Sequence, residues 1–152
     1  MDEFSTNGTF LKTLINDTAG VHLAAPWGLA IAPAGRGQFG GDLLVGNNNA
    51  INGLTEINAY NLTTGAFVGT LMLNTGQPFS ETELWALSFG SGGNAGSTDT
   101  LYFTAGLENN TNGLFGAISS VPEPSSAVLG LIALGVLAGS WRWRNRRRHA
   151  RS

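Results

Sequence analysis

APWGLAIAPAGRGQFGGDLLVG, residues 25–46, is echoed further along the chain by ELWALSFGSGGNAGSTDTLYFTAG, residues 83–106. Trp27 and Trp85 stand 58 positions apart, and so do Leu43 and Leu101. The same offset carries Ile57-Asn-Ala-Tyr60 onto Phe115-Gly-Ala-Ile118. Three separate apolar segments holding one spacing make a repeat rather than a shared composition. A further echo sets Asn7-Gly-Thr-Phe-Leu-Lys-Thr-Leu14 against Thr64-Gly-Ala-Phe-Val-Gly-Thr-Leu71 at an offset of 57.

Within one period the apolar segments are Trp27–Ala32, Asp42–Gly46, Glu56–Tyr60 and Ala66–Leu71, parted by stretches rich in Gly, Asn and Pro. Short apolar or alternating runs at this spacing read as antiparallel strands. In Asn61-Leu-Thr-Thr-Gly65 the glycine falls where the returning chain needs a positive φ. The expected body is therefore all-β and antiparallel, about two β-propeller-like blades, with four strands to a period. Phe10–Leu14 is expected to be the last strand of a preceding blade, free to complete the three-stranded final one. Without the repeat, the same strands would read as a β-sandwich.

Composition separates the chain into two electrostatic regions. Residues 1–123 hold two basic side chains, Lys12 and Arg36, against ten acidic ones, a net charge near −8. The last eleven residues hold six arginines and no acid. The chain has no cysteine, which excludes a disulfide framework, thiol catalysis and cysteine-ligated metals. The opening MDEFSTNGTF lacks the basic and apolar regions of a signal peptide.

From Ser125 to Trp143 no acid occurs and the only charge is Arg142, at the far end. As a helix these 19 residues would span ~28 Å at 1.5 Å per residue, close to a hydrocarbon core of ~30 Å. The expected membrane anchor comprises Ala127, Val128, Leu129, Leu131, Ile132, Leu134, Val136, Leu137 and Trp141. Trp141 and Trp143 suit the interface, and Arg142, Arg144, Arg146, Arg147 and Arg148 suit the cytoplasmic side as a stop signal. Pro122 and Pro124 keep the approach extended. The expected topology is a body outside, one span, and arginines inside. The arginine run alone would also fit a nucleic-acid patch, but an acidic body repels phosphate, so no nucleic-acid partner is expected.

Val121-Pro122-Glu123-Pro124, the apolar span and the arginine cluster, in that order over residues 121–148, resemble the PEP-CTERM sorting signal of Gram-negative bacteria. That resemblance makes Pro122, Glu123 and Pro124 the sorting motif. It implies an exported protein held in the inner membrane, and cleavage near the motif by an exosortase, a membrane-embedded enzyme resembling cysteine proteases. It further implies delivery to the cell surface or an exopolysaccharide matrix. PWGLAIAP, GDLLVGN, INAYNLTTGAFVGTL and LWALSFGSGGNAGSTDTLYFTAG resemble PEP-CTERM proteins with an NHL-like, six-bladed propeller. Two blades cannot close such a ring of 4–8, so a C-terminal fragment of a longer protein is expected. The partition expected is a repeat region over 1–118, a linker over 119–124, the span over 125–143 and the basic tail over 144–152.

The body carries little sequence evidence of catalytic or binding chemistry. Gly90-Ser-Gly-Gly-Asn-Ala-Gly96 lacks the Gly-Lys-Ser/Thr ending of a phosphate loop and reads as a surface loop. His22 and His149 are the only histidines, too few for a metal pair or a catalytic triad. Asp42, Asp99, Glu81 and Glu83 read as solvated turn residues. Asn47-Asn-Asn49 and Asn109-Asn110 read as turn formers rather than calcium or sugar ligands. Trp27 and Trp85, recurring at strand starts, read as blade-packing anchors rather than sugar platforms. The expected protein is not an enzyme and takes no cofactor and no metal. Its expected partners are an exosortase, the lipid bilayer and extracellular polysaccharide. The alternative is part of an NHL-type propeller lyase or hydrolase, whose metal-binding residues would come from several blades.

Overall fold

A computed structural model describes residues 1–49, 55–108 and 110–119. All belong to one unit, Met1–Ser120. The strands are β1 (Asp2–Phe4), β2 (Phe10–Thr13), β3 (Pro26–Ile31), β4 (Leu43–Asn47), β5 (Ile57–Tyr60), β6 (Phe67–Thr70), β7 (Leu84–Phe89), β8 (Thr100–Leu107) and β9 (Asn112–Ser119). They form three sheets in the orders β1-β2, β3-β4-β5-β6 and β7-β8-β9, and every pairing is antiparallel. The body is thus all-β, with only two short 3₁₀ turns, Gly37–Phe39 and Gly93–Ala95, among the described residues.

Each apolar segment of the first period became one strand within a residue or two of its expected bounds. Gly65 has φ +70°, and its N–H donates to the Asn61 carbonyl while Asn61 Oδ1 accepts from Thr63 and Thr64 N–H. An asparagine that satisfies the turn amides and a glycine that takes the left-handed position are what close this hairpin.

The repeat extends into backbone detail. β3 is bulged against β4 between Pro26 and Gly28, and β7 against β8 between Leu84 and Ala86, so both tryptophans sit in a bulge. Just before each bulge a residue adopts the left-handed region, Ala25 at φ 49° and Glu83 at φ 51°. The carbonyls of both accept from equivalent amides, Asn48 N–H and Gly106 N–H. A side chain in that region costs roughly 1–2 kcal/mol. Glu83 carries a second burden, because its Oε2 is buried without a hydrogen-bond partner. Glu83→Gly should therefore raise stability by about 1 kcal/mol after the flexibility of glycine is set against the relief. A lower urea midpoint for that variant would contradict this account.

Alternation along the strands gives the four-stranded sheet two different faces. Gly28, Ala30, Leu44, Gly46, Ile57 and Ala59 face the three-stranded sheet, where Leu84, Leu87, Leu101, Phe103 and Ala105 meet them with Ala32, Phe39, Leu71 and Phe79. Phe79 and Phe103 cross edge to face with centroids 5.0 Å apart. The opposite face presents Leu43, Val45 and Tyr60 to Ile15, with Met1, Leu14 and Leu23 around them. Burial of each large apolar side chain contributes ~1.5–3 kcal/mol, which makes the inter-sheet layer the main source of cohesion.

The first strand pairing departs from expectation. β2 does not complete the three-stranded sheet; it pairs with β1, with Glu3 opposite Lys12 and Phe4 opposite Phe10. The turn Ser5–Thr9 closes over a few residues, whereas β9 lies about a hundred residues away, so the local partner costs far less loop entropy. The N-terminal amine then ties the start of the hairpin down by donating to the Ile15 carbonyl at 2.6 Å. Among the described residues no helix is long and apolar enough to cross a membrane. The expected span over 125–143 lies outside the described residues.

Candidate functional site: the sorting segment and the strand that leads to it

β9 is the last described element, and its final residue, Ser119, pairs with Thr100. One buried side chain reaches this end of the sheet from the other one. Arg36, in the β3–β4 connection, donates from its guanidinium to the Asp99 carbonyl and, at 3.4 Å, to the Ile118 carbonyl. Its charged carbon stands 5.3 Å from the centre of the Phe89 ring. Burial pulls the Arg36 pKa down, and the negative charge of Asp99 acts in the opposite direction. Sequence reading missed this clamp. The available signal was one of the body's two basic residues in a Gly-rich connection whose other charge is Asp42, and nothing there names its partners.

A second polar constellation holds the segment leading into β3. The His22 carbonyl accepts from Asn47 Nδ2 at 3.1 Å, Asn58 Nδ2 at 2.9 Å and Tyr60 Oη at 3.1 Å. Asn47 Oδ1 also accepts from Ala24 N–H, and Asn48 Nδ2 donates to the Leu84 carbonyl of the other sheet. Asn47 is fully buried, so it serves as an interior bracket rather than as the turn former expected from its sequence. The His22 ring stacks on Phe67 with centroids 3.7 Å apart. Burial, with the Asp17 charge second, raises the Tyr60 pKa well above its ordinary value.

Asp17 accepts the N–H groups of Val21, His22 and Leu23. The His22 amide above all, then those of Val21 and Leu23, hold its carboxyl below the usual carboxylate value. A depressed folded pKa stabilises the fold above the unfolded value of about 3.9, and that gain is lost as pH falls through the folded value. Asp17→Asn should flatten the acid limb of the stability profile below about pH 4. Parallel acid limbs for wild type and variant would dissociate the loop from Asp17's charge.

The two tryptophans meet edge to face with centroids 4.6 Å apart, yet both remain exposed. They join the two sheets, as packing anchors should, but at the surface. Trp85 Nε1 donates to Oδ1 of Asn110, a turn residue at φ 62° as expected. Beside them is an open depression of about 530 Å³, lined by Thr104, Leu114, Phe115 and the β8–β9 turn. Among the described residues no cluster of three or more His, Cys, Asp or Glu could hold a metal ion.

The sequence-expected functional residues all lie outside the described residues: Pro122, Glu123 and Pro124, the anchor from Ala127 to Trp141, and the arginines from Arg142 to Arg148. No curated protein and no solved structure matches the chain. One family does, described as the PEP-CTERM protein-sorting motif, over residues 120–148. These bounds take in the Pro-Glu-Pro tripeptide, the apolar run and the arginine cluster, so the chain carries a PEP-CTERM protein-sorting motif directly after its last described β-strand.

Proposed function

We propose that this is an exported, non-enzymatic protein of the bacterial surface or its exopolysaccharide matrix, delivered by its C-terminal segment. The motif match over residues 120–148 carries the reading. In it, residues 125–143 form a single membrane-spanning helix, the body stands outside the cytoplasm, and an exosortase cleaves near Pro122-Glu123-Pro124. Arg142, Arg144, Arg146, Arg147 and Arg148 act as a topological lock, since the transfer of each cation across the membrane is costly. The body is propeller-like. That is supported by a four-stranded and a three-stranded antiparallel sheet packed face to face through their first strands, with matching bulges.

The test is the intact mass and fractionation of the chain, given an export signal, in hosts with and without an exosortase. Loss of the segment beyond the Pro-Glu-Pro motif only when the enzyme is present is the expected result. An uncut, membrane-retained chain in both hosts would overturn the processing role. Changing the five arginines to glutamate should release most of the chain from the membrane fraction or invert its orientation, read by protease accessibility. Unchanged fractionation and topology would dispose of the lock.

A further inference from the structure

We propose that the body associates head to tail with a second copy of this chain, using two faces, exposed among the described residues, that are the repeat counterparts of the two halves of its own inter-sheet contact. In that internal contact β7 packs on β3, and Leu87 sits over Gly28 and Gly46. Leu29 occupies in β3 the repeat position that Leu87 holds in β7, one residue after the equivalent glycine or alanine. Leu87 is 7% exposed, but Leu29 is 49% exposed. Trp27 and Ile31 are exposed with it along the same strand. Met1, Leu14, Ile15 and Leu23 cover Leu43, Val45 and Tyr60, which leaves the first strand of the sheet bare.

The complementary half lies on the far side of the three-stranded sheet. Phe115 and Tyr102 stack there, beside Ala86 and Thr104. Phe115 stands at the repeat position of Ile57, which is wholly buried in the internal contact, yet it is 69% exposed. Ala86 and Thr104 replace Gly28 and Gly46, so an incoming leucine stands further out, over the depression beside Trp85 and Phe115. One copy therefore presents the projecting leucine row and the next presents the receiving face. A contact made from two different patches is heterologous and joins copies in a directional chain or ring.

The strand edges agree with this arrangement. Among the described residues β9 is an edge strand of eight residues with no partner on its outer side, while β1 covers β2 over only three, with an irregular register. In the neighbour β9 takes the place of β1 on β2, completing a four-stranded sheet like β3-β4-β5-β6. The pairing of Ala59 with Gly69 then puts Ala117 of one copy opposite Lys12 of the next. Long unpaired edges with exposed aromatic residues favour such pairing.

The test is sedimentation of the full chain in detergent against concentration, with Leu29→Asp and Phe115→Asp as blocking variants. Both side chains are exposed, and circular dichroism confirms that each variant is folded. Wild type should associate by about 0.1 mM, each variant alone should stay monomeric, and an equimolar mixture should form dimers through the two intact faces. A monomeric wild type, or a mixture that stays monomeric, overturns the proposal. Because the chain lacks cysteine, Lys12→Cys and Ala117→Cys chains mixed under oxidation should cross-link to each other. Association without that cross-link would overturn the strand exchange.

Discussion

Leu87→Ala should destabilise the body by about 3 kcal/mol, and Gly28→Val should do comparable harm from the other side of the same contact. Leu87 is buried in the layer between the two larger sheets. Its truncation removes transfer energy and leaves a cavity that β-sheets on either side cannot readily collapse. A Cβ on Gly28 would lie 2.8 Å from Leu87 Cγ, 3.0 Å from Leu87 N and 3.1 Å from the Ala86 carbonyl carbon. A side chain can turn aside, but two of those three atoms are backbone. Accommodation therefore requires that the sheets move apart, and that weakens every contact along β3 and β7. The two positions should also be coupled: Gly28→Ala should cost less in Leu87→Ala than in wild type, because one of the three obstructing atoms is gone. Denaturant unfolding of the four proteins in a double-mutant cycle measures this. Additive costs would mean that Gly28 and Leu87 do not share the contact.

Arg36→Ala should cost about 2–3 kcal/mol, the loss of charge-assisted hydrogen bonds at a buried site. The substitution strips the donors from the Asp99 and Ile118 carbonyls and removes the cation from beside Phe89. Arg36→Lys should recover no more than half. A single ammonium cannot span two carbonyls as a planar guanidinium does, and it is more reluctant to leave water. The effect should also be local. Amide hydrogen exchange should rise at Ala117–Ser119, the strand end that enters the sorting segment, before it rises in β4. Uniform acceleration across both sheets would instead make Arg36 a general support of the fold.

How much of this was legible beforehand follows from the range of the interactions. The strands of the first period declare themselves through alternation and Gly-containing turns, which are local signals. The sorting motif is more legible still, because a proline-flanked acid, a continuous apolar run and a cationic end are contiguous in the chain. Arg36 was only a basic residue in a loop until the fold brought it against carbonyls more than sixty residues away. Asn47 looked like a turn former because asparagine runs usually are, and its burial against the His22 carbonyl has no sequence signature.

By itself, then, the sequence determined the antiparallel β character, the repeat that aligns Trp27 with Trp85, and the sorting motif at residues 120–148. Tertiary structure alone decided that β2 pairs with β1 instead of β9. It also decided that both tryptophans stay at the surface, and that Leu29 and Phe115 stand exposed where their repeat counterparts are buried. The physical reason is common to all three. Period and turn chemistry specify that a segment is a strand and which residues share its face. Which sheet covers that face, and which strand takes its edge, is a competition between loop closure and packing that no local pattern records.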